Sequence, residues 1–163
     1  MNPTAQFQQL EALFSKQLNI AEELETILQD ESEALTKRNH EEIQRLSSLK
    51  EIKIKDIETI NQNQADVLAT LNLTYSADAL DQLINAMPPE MSRRITHIRR
   101  KLETILDTCQ QQNMVNGQII AANRQAAEAA LAILRGQVSP GNLTYGATGQ
   151  AISEQSSSPI SKA

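Results

Sequence analysis

An apolar repeat between Met91 and Arg135 constrains the fold of this chain more than any other feature. Apolar side chains recur every three or four residues along this stretch, which places them on one face of a single α-helix. Pro89 suits the first turn of that helix, and Gly136 suits its end, because glycine tolerates the left-handed residue that closes a helix. At about 1.5 Å per residue the helix would be ~70 Å long. Such a helix needs another element to cover its apolar face.

Three further helices are predicted ahead of the long one. They cover about residues 4–36, 40–72 and 77–86. Thr4 is a suitable N-cap for the first, and Ser76 is a suitable N-cap for the short one. Asn39, with Glu42 three residues later, is typical of a capping box. We therefore predict a turn between the first two helices, while one continuous helix through residue 70 remains the alternative.

The pattern predicts an all-α fold. We expect an elongated antiparallel bundle of three long helices plus a short connector helix, with a disordered C-terminal tail. Hydrophobic residues make up 40% of the chain but aromatic residues only 2%, which predicts an aliphatic core. Residues 1–136 would form the helical domain. Residues 137–163 would form the flexible tail, because they are rich in Gly, Ser, Thr, Pro and Gln.

Composition and motifs exclude several classes of function. A net charge of −5 disfavours nucleic-acid binding, which depends on neutralising phosphates. Histidine and cysteine lack the spacing of metal ligands, so we predict no metal. The sequence also has no glycine-rich phosphate loop and no Gly-x-Ser-x-Gly motif, so we predict no cofactor and no catalytic residue. The single cysteine, Cys109, is predicted to be a small buried side chain. No signal peptide or membrane-spanning stretch is evident, so we expect a cytoplasmic protein without membrane insertion.

The start of the long helix is basic. The cationic residues there are Arg93, Arg94, Arg99, Arg100 and Lys101. We interpret them as a solvated face that complements the acidic first helix, with binding of an anionic partner as the alternative.

The end of the long helix is a candidate docking surface. If the three long helices start level, about a dozen residues, roughly Asn123 to Arg135, extend beyond the first two helices. Apolar residues persist there: Ala126, Ala127, Ala130, Leu131, Ile133 and Leu134. A soluble monomer rarely leaves such a stripe in water. The stripe either docks another helix or is simply an alanine-rich helix end.

Amides interrupt the apolar face before this stripe. The motif reads Gln112-Asn113-x-x-Asn116-Gly117-x-Ile119-Ile120-x-x-Asn123, followed by Leu131-x-x-Leu134 and by Thr144-Tyr145-Gly146-Ala147-Thr148-Gly149 in the tail. Polar side chains at such positions can specify partner and register. In this order, within an all-helical chain, the motifs resemble the FlgN family of bacterial flagellar export chaperones.

The resemblance implies a function and a set of residues. FlgN-type chaperones are not enzymes; they hold the C-terminal helices of the hook–filament junction proteins FlgK and FlgL, prevent premature assembly, and deliver these clients to the flagellar type III export gate. The implied client-binding residues are Asn113, Asn116, Ile119, Ile120, Asn123, Ala127, Ala130, Leu131 and Leu134. Tyr145 is the candidate for docking to the gate. A self-associating bundle, including a homodimer, or an adaptor of another pathway remains the alternative.

Overall fold

The computed structural model describes residues 3–136, 143–145 and 151–153 of the chain. Its elements are α1 (Pro3–Thr36), α2 (His40–Thr70), α3 (Ala77–Ala86), α4 (Pro89–Leu134), β1 (Leu143–Tyr145) and β2 (Ala151–Ser153). The all-α fold with three long helices and one short helix is therefore confirmed. The chain divides into two compact units, Met1–Gly117 and Gln118–Ala163. Their boundary falls inside α4, whereas the composition of the sequence changes only after Gly136.

Local signals account for most helix ends. The side chain of Ser76 accepts a hydrogen bond from the Ala79 amide at 3.1 Å and starts α3 as predicted. The prediction that Thr4 caps α1 is wrong, because α1 already includes Pro3. Proline fits that place because it lacks a backbone N–H, and an N–H in the first turn of a helix has no hydrogen-bond partner within the helix.

A tight turn joins α1 to α2. Asn39 is the N-cap of α2, and its side chain accepts a hydrogen bond from the Glu42 amide at 3.3 Å. Arg38 has a φ of 53°, and the Asn39 amide bonds back to the carbonyl of Ala34 at 2.9 Å. A left-handed residue followed by such a bond is a common end of a helix. The alternative of one continuous helix is therefore excluded.

Side-chain contacts fix the direction of α2 against α1. In the first half of α1, Gln17 contacts Asn61 in the second half of α2. Near the end of α1, Glu31 contacts Lys50 in the first half of α2. A residue later in α1 therefore contacts a residue earlier in α2, so the two helices form an antiparallel hairpin.

Within the first unit, α4 runs parallel to α1. Arg94 pairs with Glu11, and further along, the Cys109 thiol lies 3.8 Å from the carbonyl oxygen of Ala21. A residue later in α1 therefore contacts a residue later in α4, as in two parallel helices. The first part of α4 therefore completes the up-down-up order that the sequence predicts.

The core of the first unit is mainly aliphatic, as the scarcity of aromatic residues predicts, although Phe7 and Phe14 are buried in it. Its largest fully buried apolar side chains are Leu10, Leu28, Leu46, Ile60, Leu68 and Ile95. The short helix α3 buries Leu80, Leu83 and Ile84 in the same cluster as the starts of α1 and α4. The connector helix therefore contributes to the core as well as joining α2 to α4.

In the second unit, α4 ends at Leu134 and is followed by Gly136 in a left-handed conformation with φ 68°. The Gly136 amide bonds to the carbonyl of Ile133 at 3.0 Å. Beyond it, β1 pairs with β2 as an antiparallel ladder with Thr144 opposite Ile152. These short strands were not predicted for the tail. The remainder of the predicted tail lies outside the described residues.

Candidate functional site

The predicted client-binding residues are divided between the two units of the chain. Asn113 and Asn116 belong to the first unit; Asn113 is exposed, but only 1% of Asn116 is exposed. The others lie on the last part of α4, and we call them the terminal face: Ile119, Ile120, Asn123, Ala127, Ala130, Leu131 and Leu134.

Asn116 is a core residue. Its side-chain nitrogen donates to the carbonyl oxygen of Leu28 at 2.9 Å and to Glu31 Oε2 at 2.8 Å. Its side-chain oxygen accepts a hydrogen bond from Gln112 Nε2 at 3.0 Å. A buried amide needs such partners, because an unpaired polar group in the core costs about 1–3 kcal/mol. The structure therefore removes Asn116 from the candidate client surface, since its hydrogen-bonding groups are used inside the bundle.

Glu31 is the centre of this buried polar network. Its residue is 3% exposed, and its Oε1 accepts a hydrogen bond from Lys50 Nζ at 2.7 Å. The Lys50 side chain is 21% exposed, so most of it is buried. Together with Asn116, the pair joins α1, α2 and α4 at one level of the bundle. These residues are far apart in the sequence, so the sequence alone does not bring them together.

A second polar network lies nearer the other end of the hairpin. Gln64 is fully buried, and its side-chain nitrogen donates to Gln17 Oε1 at 2.9 Å. Gln17 donates in turn to Asn61 Oδ1 at 2.8 Å, and the hydroxyl of Tyr75 donates to Gln64 Oε1 at 3.0 Å. Burial raises the pKa of Tyr75, opposed by the charge of Arg99. This network anchors the loop before α3 to the hairpin.

The terminal face has exposed apolar side chains. Ile120 is 49% exposed, Leu131 is 47% exposed and Leu134 is 82% exposed. At ~100° per residue, the members of the terminal face span a sector of about 120° of the helix surface. This width is that of a helix face packed against one neighbour. The end of α4 therefore has the apolar face of a helix that packs against a neighbour, but the large side chains of that face are exposed.

The basic cluster at the start of α4 is paired with acidic side chains. Arg94 contacts Glu11 through two hydrogen bonds of 2.6 and 3.2 Å. These bonds lower the pKa of Glu11, against the opposing effect of its partial burial. Lys101 lies 3.9 Å from Glu22 on α1. The prediction that this cluster complements the acidic first helix is therefore confirmed for Arg94 and Lys101, whereas Arg99 pairs with Asp81 on α3.

The described residues do not form a reactive cysteine or a cluster of metal ligands. Cys109 is buried, as predicted, and burial raises the pKa of its thiol, with a further contribution from the charge of Glu25. A low pKa and access to solvent are what make a cysteine reactive. In the described part of the chain, no three His, Cys, Asp or Glu side chains gather as metal ligands would.

Two further observations concern membranes and the gate-docking residue. Across the described residues, no helix combines the length and the apolar character that crossing a bilayer requires. Tyr145 lies in β1, opposite Ala151. Its side chain lies outside the described part of the structure, so its proposed role stays a prediction.

Comparison with known families adds to this geometry. The family model described as FlgN protein matches residues 1–152. This chain belongs to the FlgN family. Membership assigns this FlgN chain to the flagellar export chaperones, which bind hook-associated proteins and form a chaperone family rather than a family of enzymes. No curated protein and no solved structure matches the sequence significantly.

Proposed function

We propose that this FlgN-family chain is a cytoplasmic chaperone for the hook–filament junction proteins FlgK and FlgL. It holds their C-terminal helices on the terminal face, prevents their premature assembly and delivers them to the flagellar export gate. The observation that carries the proposal is the exposure of Ile120, Leu131 and Leu134 on one side of α4. Family membership supplies the class of partner.

The terminal face suits an amphipathic helix as its ligand. Helix-in-groove recognition uses anchors at positions i, i+3, i+4 and i+7. The terminal face offers Ile120, Asn123 and Ala127 at positions i, i+3 and i+7, with Leu134 seven residues further. The alanines bury little area, so binding should be moderate and the client should remain releasable. Asn113 is exposed on the same helix and stays a candidate contact.

Titration with a client segment tests this proposal directly. We expect the C-terminal helical segment of a junction protein to bind with a Kd near 1 μM, about −8 kcal/mol, as measured by calorimetry. A segment in which the apolar stripe is replaced by aspartate is the matched control and should not bind. Absence of binding to the folded protein would favour a self-associating bundle, which light scattering would then detect as a homodimer.

Tyr145 is the proposed contact with the export gate. We expect Tyr145→Ala to leave the Kd for the client segment within about twofold and to lower export of the client about tenfold, because aromatic anchors dominate small interfaces. Secretion of a junction protein by cells that carry the variant is the measurement, with Tyr145→Phe as the control that keeps the ring. Weaker client binding by Tyr145→Ala would instead place this residue in the client site.

A further inference from the structure

The packing of α4 in the first unit changes in character along the helix. The buried residues of α4 are Met91, Ile95, Leu102, Cys109 and Asn116. The last four are seven residues apart, so they form one narrow line on the helix surface. Along this line the side chains become smaller and finally polar, from isoleucine and leucine to cysteine and asparagine. The hydrophobic contribution of the line to the packing of α4 therefore falls toward Asn116.

The hydrophobic clusters of the first unit change in the same direction. Ile95 and Leu102 belong to the main cluster, which also contains residues of α1, α2 and α3. Cys109 instead belongs to a smaller cluster with Leu24 and Leu28 of α1. Burial of apolar surface is the main stabilising contribution to a fold. We therefore expect the start of α4 to be held more firmly than the segment from Cys109 to Asn116.

At Asn116 the contact between α4 and α1 is polar. The side-chain nitrogen of Asn116 donates to the Leu28 carbonyl at 2.9 Å and to Glu31 Oε2 at 2.8 Å. Within the hairpin, Glu31 Oε1 accepts a hydrogen bond from Lys50 at 2.7 Å. Within α4, Gln112 donates to Asn116 Oδ1 at 3.0 Å. Both hydrogen bonds that join Asn116 to α1 therefore start from one atom, and each side also has internal bonds.

These internal bonds survive if α4 separates from α1 at this level. Glu31 keeps Lys50, and Asn116 keeps Gln112. The Leu28 carbonyl lies inside α1, where it also accepts the backbone bond of an α-helix. The Asn116 nitrogen and Glu31 Oε2 lose each other but gain water, and a hydrogen bond exchanged for water has a small net cost. Separation here is therefore much less costly than disruption of the main cluster.

Gly117 weakens the helix directly after this contact. Gly117 is exposed, and a Cβ at its position would meet no atom of the described residues within 4 Å. Packing therefore does not require a glycine here. Glycine in the interior of a helix lowers its stability relative to alanine. The helix is thus locally weakened just beyond Asn116, the last buried residue of α4.

We propose that α4 from Cys109 to Asn116 separates from α1 in a local opening while the main cluster stays folded, with Asn116 as the latch. The opening breaks the two bonds from the Asn116 side-chain nitrogen and uncovers Leu24 and Leu28. It follows from the packing of the first unit and does not depend on the proposed chaperone function. A helical segment released from its neighbour is marginally stable in water. Its backbone amides should therefore exchange with solvent when the latch opens.

Hydrogen exchange of the full chain, resolved by residue with NMR, tests the inference. After correction for the exchange rates of an unfolded chain, we expect the amides of residues 109–116 to exchange at least about 30-fold faster than those of residues 95–102. Low concentrations of denaturant should accelerate the slower group and hardly change the faster one. The reason is that denaturant acts in proportion to the surface that an opening exposes.

Variants distinguish the local opening from global unfolding. Ile95→Val should accelerate exchange of residues 95–102 about fivefold and leave residues 109–116 unchanged, because Ile95 stays packed in the locally open state. Asn116→Ala should accelerate both groups about tenfold, because the bonds of Asn116 are lost in both kinds of opening. Asn113→Ala removes an amide from the exposed side of the same helix and should accelerate neither group.

The results decide the inference in either direction. Equal acceleration of both groups by Ile95→Val, with the same dependence on denaturant, would overturn it, because α4 would then separate only when the whole unit unfolds. Exchange of residues 109–116 at the wild-type rate in Asn116→Ala would overturn the role of Asn116 as the latch. If Asn116→Ala does not fold, Asn116→Ser provides the same comparison with a shorter polar side chain. The wild-type denaturant series and Ile95→Val test the local opening independently of either variant.

Discussion

Lys50→Met is expected to lower the free energy of unfolding by about 3 kcal/mol at neutral pH. The reason is the buried carboxylate of Glu31, whose side chain is only 4% exposed and which would lose its cationic partner. Breaking a buried pair by removing one member leaves an uncompensated charge, which is far more costly than the pair is stabilising. Chemical denaturation followed by far-UV circular dichroism measures the effect.

The same helix supplies a matched control for this experiment. Lys53 is three residues further along α2 and pairs with Glu23, whose side chain is 55% exposed. Lys53→Met should therefore cost no more than about 1 kcal/mol, as is usual for exposed ion pairs. The double variant Lys50→Met, Glu31→Met should recover much of the lost stability, because it removes both charges. Equal effects of Lys50→Met and Lys53→Met would show that Glu31 regains water when its partner is removed.

Ile120→Asp is expected to weaken client binding at least about 30-fold, equivalent to about 2 kcal/mol or more. The substitution places a charge near the N-terminal end of the terminal face, where a client helix would have to remove it from water. Leu134→Asp should have a comparable effect at the C-terminal end of the terminal face. Calorimetry with the C-terminal segment of a junction protein gives the Kd of each variant.

Retention of the fold decides how this result is interpreted. Ile120 is 49% exposed and Leu134 is 82% exposed, so aspartate at either position should leave the helicity and the midpoint of denaturation nearly unchanged. Gln125→Asp carries the same added charge on the polar side of α4 and should bind the client normally. If Ile120→Asp unfolds the chain, Ile120 contributes to the core, and the terminal face needs to be redrawn around Leu131 and Leu134.

The positions of helix ends could be predicted because their signals are local. Asn39 and Ser76 cap α2 and α3 with bonds to amides three residues away, and Gly136 takes up the left-handed conformation after α4. Each of these features involves a few neighbouring residues and is visible in the sequence. The up-down-up order followed from the turn at Asn39 and from the length of the helices.

The polar networks could not be predicted because their partners are distant in sequence. Asn116 and Glu31 are 85 residues apart, and an amide on an apolar seam is equally consistent with a surface that selects a partner. Only the register of α4 against α1 shows that Asn116 faces a carboxylate and the carbonyl of Leu28 inside the bundle. The apolar stripe at the end of α4 is visible in the sequence, since Ala126 and Ile133 belong to its repeat, but the sequence does not show how much of that stripe is exposed.

The location of Cys109 gives the molecule a built-in reporter. Its thiol, on α4, is buried against the carbonyl of Ala21 on α1, and burial raises the pKa of the thiol. A thiol reagent in solution therefore meets almost no thiolate while the helices stay packed. The rate of labelling therefore measures how often this part of the bundle opens. Comparing that rate with and without a bound client would show whether holding cargo tightens or loosens the chaperone, with no engineered probe in the chain.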